Sequence, residues 1–454
     1  MQAAITQTTN VRRDRLAWYL FDFGNSAYAA VVLLAVYSAY FQNSVVGGSR
    51  GTQLWGFSVG IAMLVVAITS PVLGAIADFS GAKKRFLMFF TTLCITFTAL
   101  LFFVGEGMIL FGMLFFILAE IGYRSGQVFY NSLLPEIADE DEMPHVSGMG
   151  WAIGSFGGIL CLLIVLPLIV LIGGTFIVRS SFVITALFFA LATGPLFLWM
   201  SERAQPQKLP KGQNHLTIGF KRLWATAKKA RHYREFIKFM IAFIIFNDGI
   251  IMALDFSAII GAVMFGLAQE QLIILMIIVQ VTSVIGALAF GVTAERWGSK
   301  TTIVVSLLLM IGAIVILYFN YSVMGFFAIA ALAGFALTGV QSVSRTMVGQ
   351  LSPKGQSAEF YGLYAISGRA SSFVGPTVFG ILVLSLERFY RDGGEGFSLA
   401  ERLAHRNALW SIVAFLAAGL ILLLTVNVEK GRQAARAIVT DLDDLEPAED
   451  LAGA

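Results

Sequence analysis

Runs of about 20 consecutive apolar residues recur from one end of this chain to the other, parted by short polar turns. No other feature limits the fold as much. A helix needs about 20 apolar residues to cross a bilayer. Backbone groups in hydrocarbon must be satisfied within their own segment, which selects helices over open sheet. The runs are apolar at every position, so the alternation of a membrane β-barrel is absent. Composition agrees. The chain is 57% hydrophobic and 13% charged, against about 25% charged in a soluble protein, so it lacks the charge to cover a water-exposed surface.

The runs place twelve spans, at roughly 17–42, 54–77, 86–104, 108–131, 146–172, 180–200, 235–257, 270–292, 301–319, 322–349, 358–386 and 406–427. The expected fold is an all-α membrane protein with twelve transmembrane helices in two six-helix, pseudo-symmetric halves. Residues 1–200 form the N-terminal bundle and 235–430 the C-terminal bundle. Residues 201–234 are a basic linker, and 431–454 an acidic tail of too little apolar bulk to fold. Within the linker, His215 to Arg234 mixes Leu216, Ile218, Phe220, Leu223 and Trp224 with Lys and Arg. Two readings stand: a helix lying at the membrane surface with its basic side toward anionic lipid, or a solvated basic connector.

An internal repeat supports the two halves. Gly74-Ala-Ile-Ala-Asp78-Phe-Ser-Gly81-Ala-Lys83 returns as Gly291-Val-Thr-Ala-Glu295-Arg-Trp-Gly298-Ser-Lys300. Glycine, acid, glycine and lysine keep one spacing, and each copy lies between two apolar runs. Pro135 and Pro353 close matching spans, and Gly150 and Gly157 match Gly368 and Gly375. Two such halves are parallel repeats about an axis along the membrane normal.

Lys and Arg placement sets the orientation. With the N-terminus in the cytoplasm, inner segments hold 21 Lys/Arg and outer loops six, which puts both termini inside. Arg179, Arg388, Arg391, Arg402 and Arg406 are among the outer six. The setting expected is a bacterial cytoplasmic membrane, with the protein multi-pass and monomeric.

Enzyme chemistry finds no foothold. The four histidines, His145, His215, His232 and His405, are assigned to loops, and none pairs with another ligand at metal spacing. Cys94 and Cys161 lie in apolar runs and read as buried thiols. No phosphate-binding loop marks ATP as the energy source. No catalytic residue, metal or cofactor is expected, and no nucleic acid as partner.

Gly-x-x-x-Asp-x-x-Gly-x-Lys at Gly74–Lys83, echoed at Gly291–Lys300, resembles the signature loop of the Major Facilitator Superfamily. A narrower likeness is carried by Trp18-Tyr-Leu-Phe-Asp22-Phe-Gly-Asn25-Ser26-Ala27-Tyr28, which is similar to the Asp-Trp-Ala-Asn-Ser-Ala-Phe stretch of the vacuole-effluxer branch, with Phe23 and Gly24 departing from it. Asn131–Gly154, Gly339-Val-Gln341-Ser-x-Ser-Arg345 and Glu359–Tyr364 are similar to that branch as well. The resemblance implies a secondary active transporter working by alternating access, with helices 1, 4, 7 and 10 lining a central cavity. The branch is related to autophagy-linked exporters of vacuolar amino acids. A small polar or amphipathic solute such as an amino acid is therefore the expected cargo, with protons a candidate driving ion. The alternative is a lipid or lysolipid flippase, or a non-transporting sensor, on the same fold.

Charge inside a span is costly, so each instance is a candidate site. Asp22 and Asn25 share one face of helix 1, and Glu120 and Arg124 one face of helix 4. Glu120 and Arg124 either bind proton and solute or simply neutralise one another. Asp248 is the first candidate for proton coupling, with Asn247 and Gln341 as further cavity residues. Arg369 replaces Trp151 of the other half and either grips a carboxylate with paired hydrogen bonds or faces the cytoplasm. Asp22 and Arg345 are candidates for an inner gate. The loop residues Gly74, Asp78, Gly81, Lys83, Arg85, Gly291, Glu295, Gly298 and Lys300 are candidate parts of a conformational switch, in which the glycines permit close helix approach.

Overall fold

The computed structural model describes residues 2–79, 81–138, 143–200, 214–230, 233–352, 360–361, 363–364, 367–368 and 372–443, some of them by backbone alone. Among these the chain is helical throughout, with no strand.

Helix α1 (Gln2–Tyr28) runs on to Val46 through two π-helical stretches, Ala29–Ala35 and Phe41–Val46. It is followed by α2 (Gly48–Phe79), α3 (Lys83–Leu100), α4 (Ile109–Ser132), α5 (Met143–Leu171) and α6 (Gly174–Trp199). The connecting helix α7 (His215–Ala230) leads to α8 (Arg234–Asp255), α9 (Gln269–Trp297), α10 (Ser299–Phe319), α11 (Val323–Leu351), α12 (Val374–Asp392), α13 (Phe397–Leu424) and α14 (Val428–Asp443). Eleven described helices are long and apolar enough to cross a bilayer. Where a span was expected at 358–386, α12 is described from Val374 on, and most of the residues before it lie outside the described set.

Side chains that face lipid stay exposed, Leu171 at 82% and Leu198 at 81% among them, because lipid tails are as apolar as leucine. Inside the N-terminal half, aromatic rings tie the helices. Trp18 stacks on Tyr130 at 4.4 Å and donates its indole N–H to the Tyr130 carbonyl at 3.1 Å.

The repeated turns fold alike. Gly81 (φ 57°) and Gly298 (φ 82°) both take a left-handed backbone, which only glycine adopts without strain. The lysine of each copy then ties the turn to its own half. Lys83 reaches Glu136 at 2.8 Å and the Ser132 carbonyl at 3.0 Å. Lys300 donates to the Leu424 and Val426 carbonyls at 2.8 and 2.7 Å, closing the end of α13. Arg85 and Glu295 are exposed.

Three expectations change. The last span starts at Phe397 rather than near 406, so His405 lies inside α13 and is fully buried. Arg402 and Arg406 lie in α13 as well. His145 falls within α5 and His215 opens α7, while His232 lies outside the described residues. Charge at 401–406 held the local hydropathy down and hid the true start of the helix. The acidic tail continues as α14 to Asp443, and 444–454 lie outside the described residues. A Cβ added to Gly74 or Gly291 would meet nothing within 4 Å, so among the described residues no helix packs closely against either glycine. Within the linker, His215–Ala230 form α7, and its Ile218 packs on Ala75 of α2.

Candidate functional site

The halves meet along two crossings, α2 with α12 and α5 with α9. On the face opposite the basic loops the first of these is tight. A Cβ on Gly380 would come within 2.9 Å of the Gln53 Cα, and one on Gly56 would strike the Pro376 carbonyl. Backbones approach this closely only where small residues stand.

Hydrogen bonds seal the same face. Thr52 Oγ1 lies 2.7 Å from His405 Nε2, and His405 Nδ1 lies 2.8 Å from the Glu401 carbonyl. Gln42 Nε2 donates to Glu401 Oε1 at 3.0 Å. Gln269 Nε2 donates to the Ala35 carbonyl at 2.8 Å, and Trp55 Nε1 to the Asp255 carbonyl at 3.0 Å. Thr52, Trp55, Gln42 and His405 are fully buried. Among the described residues, the hydrogen bonds that join the halves all lie on this face.

Beneath the seam the first helix of each half loses regular geometry. The α1 helix turns π-helical directly after Tyr28, and π-turns concentrate at functional sites. In the other half, α8 ends at Asp255, and Phe256 (φ −105°, ψ 0°) breaks it before the short helix Ser257–Phe265. Discontinuous helices of this kind line solute sites in transporters.

Charged groups gather there. Arg124 Nε meets Glu120 Oε1 at 2.7 Å, with Glu120 fully buried and the Arg124 side chain 22% exposed. Glu120 is the twelfth residue of α4, which at ~1.5 Å per residue places it ~17 Å along the helix, near its middle. Asp255 lies within electrostatic range of both members of the pair. The Tyr28 hydroxyl points at Glu120 without closing a hydrogen bond. Glu120 Oε2, Tyr28 OH and Asp255 Oδ2 are buried and unpaired. Buried polar groups are nearly always satisfied, so these three atoms, all within electrostatic range of Arg124, make the cluster a candidate solute site.

The remaining candidates are spread out. Asn25 is buried one turn along α1 from Asp22, whose carboxylate faces Gly154 of α5. Asp248 is 3% exposed and faces the Gly375 backbone N–H in the first turn of α12, while its Oδ1 is unpaired. Its carboxylate therefore lies beside the start of α12. Asn247 Nδ2 donates to the Gly368 carbonyl at 3.3 Å. Gln341 is half-buried and Arg345 exposed. No ion pair joins Asp22 to Arg345 among the described residues. Arg369 and the side chain of Asp78 lie outside the described residues. A narrow apolar cavity of about 60 Å³ lies inside the C-terminal half, walled by Leu254, Leu275, Met310 and Phe326, and holds none of the charged candidates.

Sequence reasoning missed the seam and the importance of Asp255. Thr52 and His405 are 353 positions apart, so no local spacing announces the contact. Asp255 was one of several acids in its span, and only the break after it sets it apart.

A family model described as "Vacuole effluxer Atg22 like" matches residues 52–436. The MFS-type transporter YxiO of Bacillus subtilis (strain 168) is 30% identical over 377 residues, 80% of this chain and 87% of that protein. Autophagy-related protein 22 of Yarrowia lipolytica is 24% identical over 352 residues, 70% of this chain and 56% of the fungal protein. The chain thus spans about half the length of such fungal relatives. Among solved structures, an inward-facing bacterial homologue of the human lysosomal transporter Spinster aligns with a TM-score of 0.71 at 14% identity, covering 94% of this chain and 98% of the other. The nucleoside transporter NupG aligns with a TM-score of 0.68 at 15% identity, covering 91% and 99%.

Proposed function

This chain belongs to the Atg22-like vacuole effluxer family of MFS-type transporters, and from that premise we propose that it carries a small solute bearing both a carboxylate and an amine, an amino acid in the simplest case, by alternating access. It is an integral, multi-pass membrane protein and not an enzyme. The observation that carries the reading is the Tyr28–Glu120–Arg124–Asp255 cluster at the helix breaks beneath the sealed face. Arg124 spends its Nε on Glu120, and its terminal nitrogens remain to hold a carboxylate through paired hydrogen bonds. The unpaired oxygen of Asp255 is suited to an ammonium. Protons are the proposed driving ion, with Asp248 the proposed coupling acid and Glu120 a second candidate for binding solute or proton.

In this reading the basic loops face the cytoplasm of a bacterial cell. The closed seam is then the outer gate, and the state is inward-facing. The protein acts as a monomer within membrane lipid. The test is a thermal-shift screen of detergent-purified protein against amino acids, peptides, sugars and lipids, since a bound solute stabilises the folded state by mass action. Amino acids are expected to raise the melting temperature of wild type and leave Arg124→Gln unmoved. Stabilisation by lysolipid alone would favour the flippase alternative.

A further inference from the structure

The basic end of the C-terminal half holds a polar hollow away from the cluster beneath the seam. Its walls are the turn from Trp297 to Thr301, the stretch from the end of α13 at Leu424 to Asn427, and the start of α14 with Glu429 and Arg432, around a volume of about 510 Å³. The repeat makes its charge unusual. In the N-terminal half the loop lysine, Lys83, is neutralised by Glu136. The residue that matches Glu136 in the second half is Lys354, which lies outside the described residues. Lys300 instead donates to two carbonyls. An ammonium has three donors, so one remains. Arg432 lines the same hollow and makes no ion pair among the described residues. Glu429 is the one acid among the lining residues. Glu235 also acts on Lys300, but its carboxylate is taken up by Lys238 and the Asn427 N–H.

A second observation points to a ligand. Ser299 lines this hollow at the first turn of α10, is 2% exposed, and its Oγ has no hydrogen-bond partner. The matching residue of the other half is Ala82, so the hydroxyl belongs to this copy alone. Around it stand the first-turn N–H groups of a 21-residue helix, which lack intrahelical partners and carry the positive end of the dipole.

We propose that this hollow binds a phosphate group, supplied by a lipid headgroup of the adjoining leaflet or by a soluble phosphate ester. Lys300 and Arg432 supply the positive charge. Ser299 adds an unpaired hydroxyl among the lining residues, in the first turn of α10. A phosphate at a helix N-terminus flanked by two cations is a favoured arrangement.

The experiment uses the purified full chain in phosphate-free buffer. Inorganic phosphate and glycerol 3-phosphate are titrated while the melting temperature is followed. Retained lipid is counted by native mass spectrometry after incubation with phosphatidylglycerol or phosphatidylcholine. Wild type should be stabilised by at least one phosphate probe. Ser299→Ala and Arg432→Gln should melt as wild type without probe, because the first gives up no hydrogen bond and the second no ion pair among the described residues. Each should weaken the probe's apparent affinity roughly tenfold, the worth of one charge-assisted hydrogen bond. Retention of phosphatidylglycerol without a response to the soluble probes supports the site with lipid as the source. Saturation by the soluble probes supports it with a soluble ester as the source. Absence of any response, or variants that respond as wild type does, overturns the proposal.

Discussion

Trp55 of the N-terminal half donates its indole N–H to the main-chain carbonyl of Asp255 in the C-terminal half, at 3.0 Å. That carbonyl stands at the break in α8, so the bond joins the gate to the charged cluster. Trp55 packs on Phe116 at 4.4 Å, one turn from Glu120 on α4. Under the proposed mechanism, opening the seam would disturb the cluster, and a solute bound at the cluster would bear on the seam.

The seam predicts its own weakening. Thr52→Val removes the hydroxyl that meets His405. A net loss of about 1 kcal/mol shifts a two-state ratio about fivefold. The variant should label faster with a membrane-impermeant thiol reagent at Thr377→Cys, a half-buried position on α12 that faces Gly60 of α2 where the halves cross. The native cysteines, Cys94 and Cys161, are buried and free. Labelling unchanged from the Thr52 parent would remove this bond from the gate.

The Glu120–Arg124 pair predicts a separation of stability from transport. Arg124→Gln leaves a fully buried carboxylate without its cation, a loss of about 3 kcal/mol or more. Adding Glu120→Gln should restore most of the melting temperature. Solute exchange in vesicles should stay absent in the double variant. Recovered exchange would make the pair purely structural.

Asp248→Asn isolates proton coupling, because asparagine keeps the size and an acceptor oxygen of aspartate but cannot ionise. The variant should fold normally and exchange solute, yet fail to accumulate it under a pH gradient. Accumulation at the wild-type level would remove Asp248 from coupling.

The repeated loop predicts a kinetic effect. Asp78→Asn should slow turnover while solute affinity stays within a few-fold, since this loop is proposed to act on switching. A large loss of affinity at normal turnover would contradict that role.

Much of the fold is legible in the sequence, because apolar runs fix spans and the Gly74–Lys83 repeat fixes the halves. The turns at Gly81 and Gly298 follow directly, since their left-handed backbone needs glycine. Glu120 and Arg124 are legible through their one-turn spacing on a single helix. The seam is not. Gln42 and Glu401 are joined across 359 positions, and contacts of that kind leave no periodic trace. His405 is misplaced by hydropathy because its charged neighbours mask the start of α13. Asp248 is legible as a buried acid, whereas its approach to Gly375 depends on how α8 meets α12.

The central claim is that the two faces open in turn around the cluster. Distances between spin labels test it directly, with one pair at Arg50→Cys and Glu395→Cys across the seam face and another at Asn131→Cys and Thr346→Cys across the basic face, all four positions exposed. On adding a transported solute, a population should emerge in which the first distance lengthens while the second shortens. Two distances that stay fixed, or that lengthen together, would contradict the account.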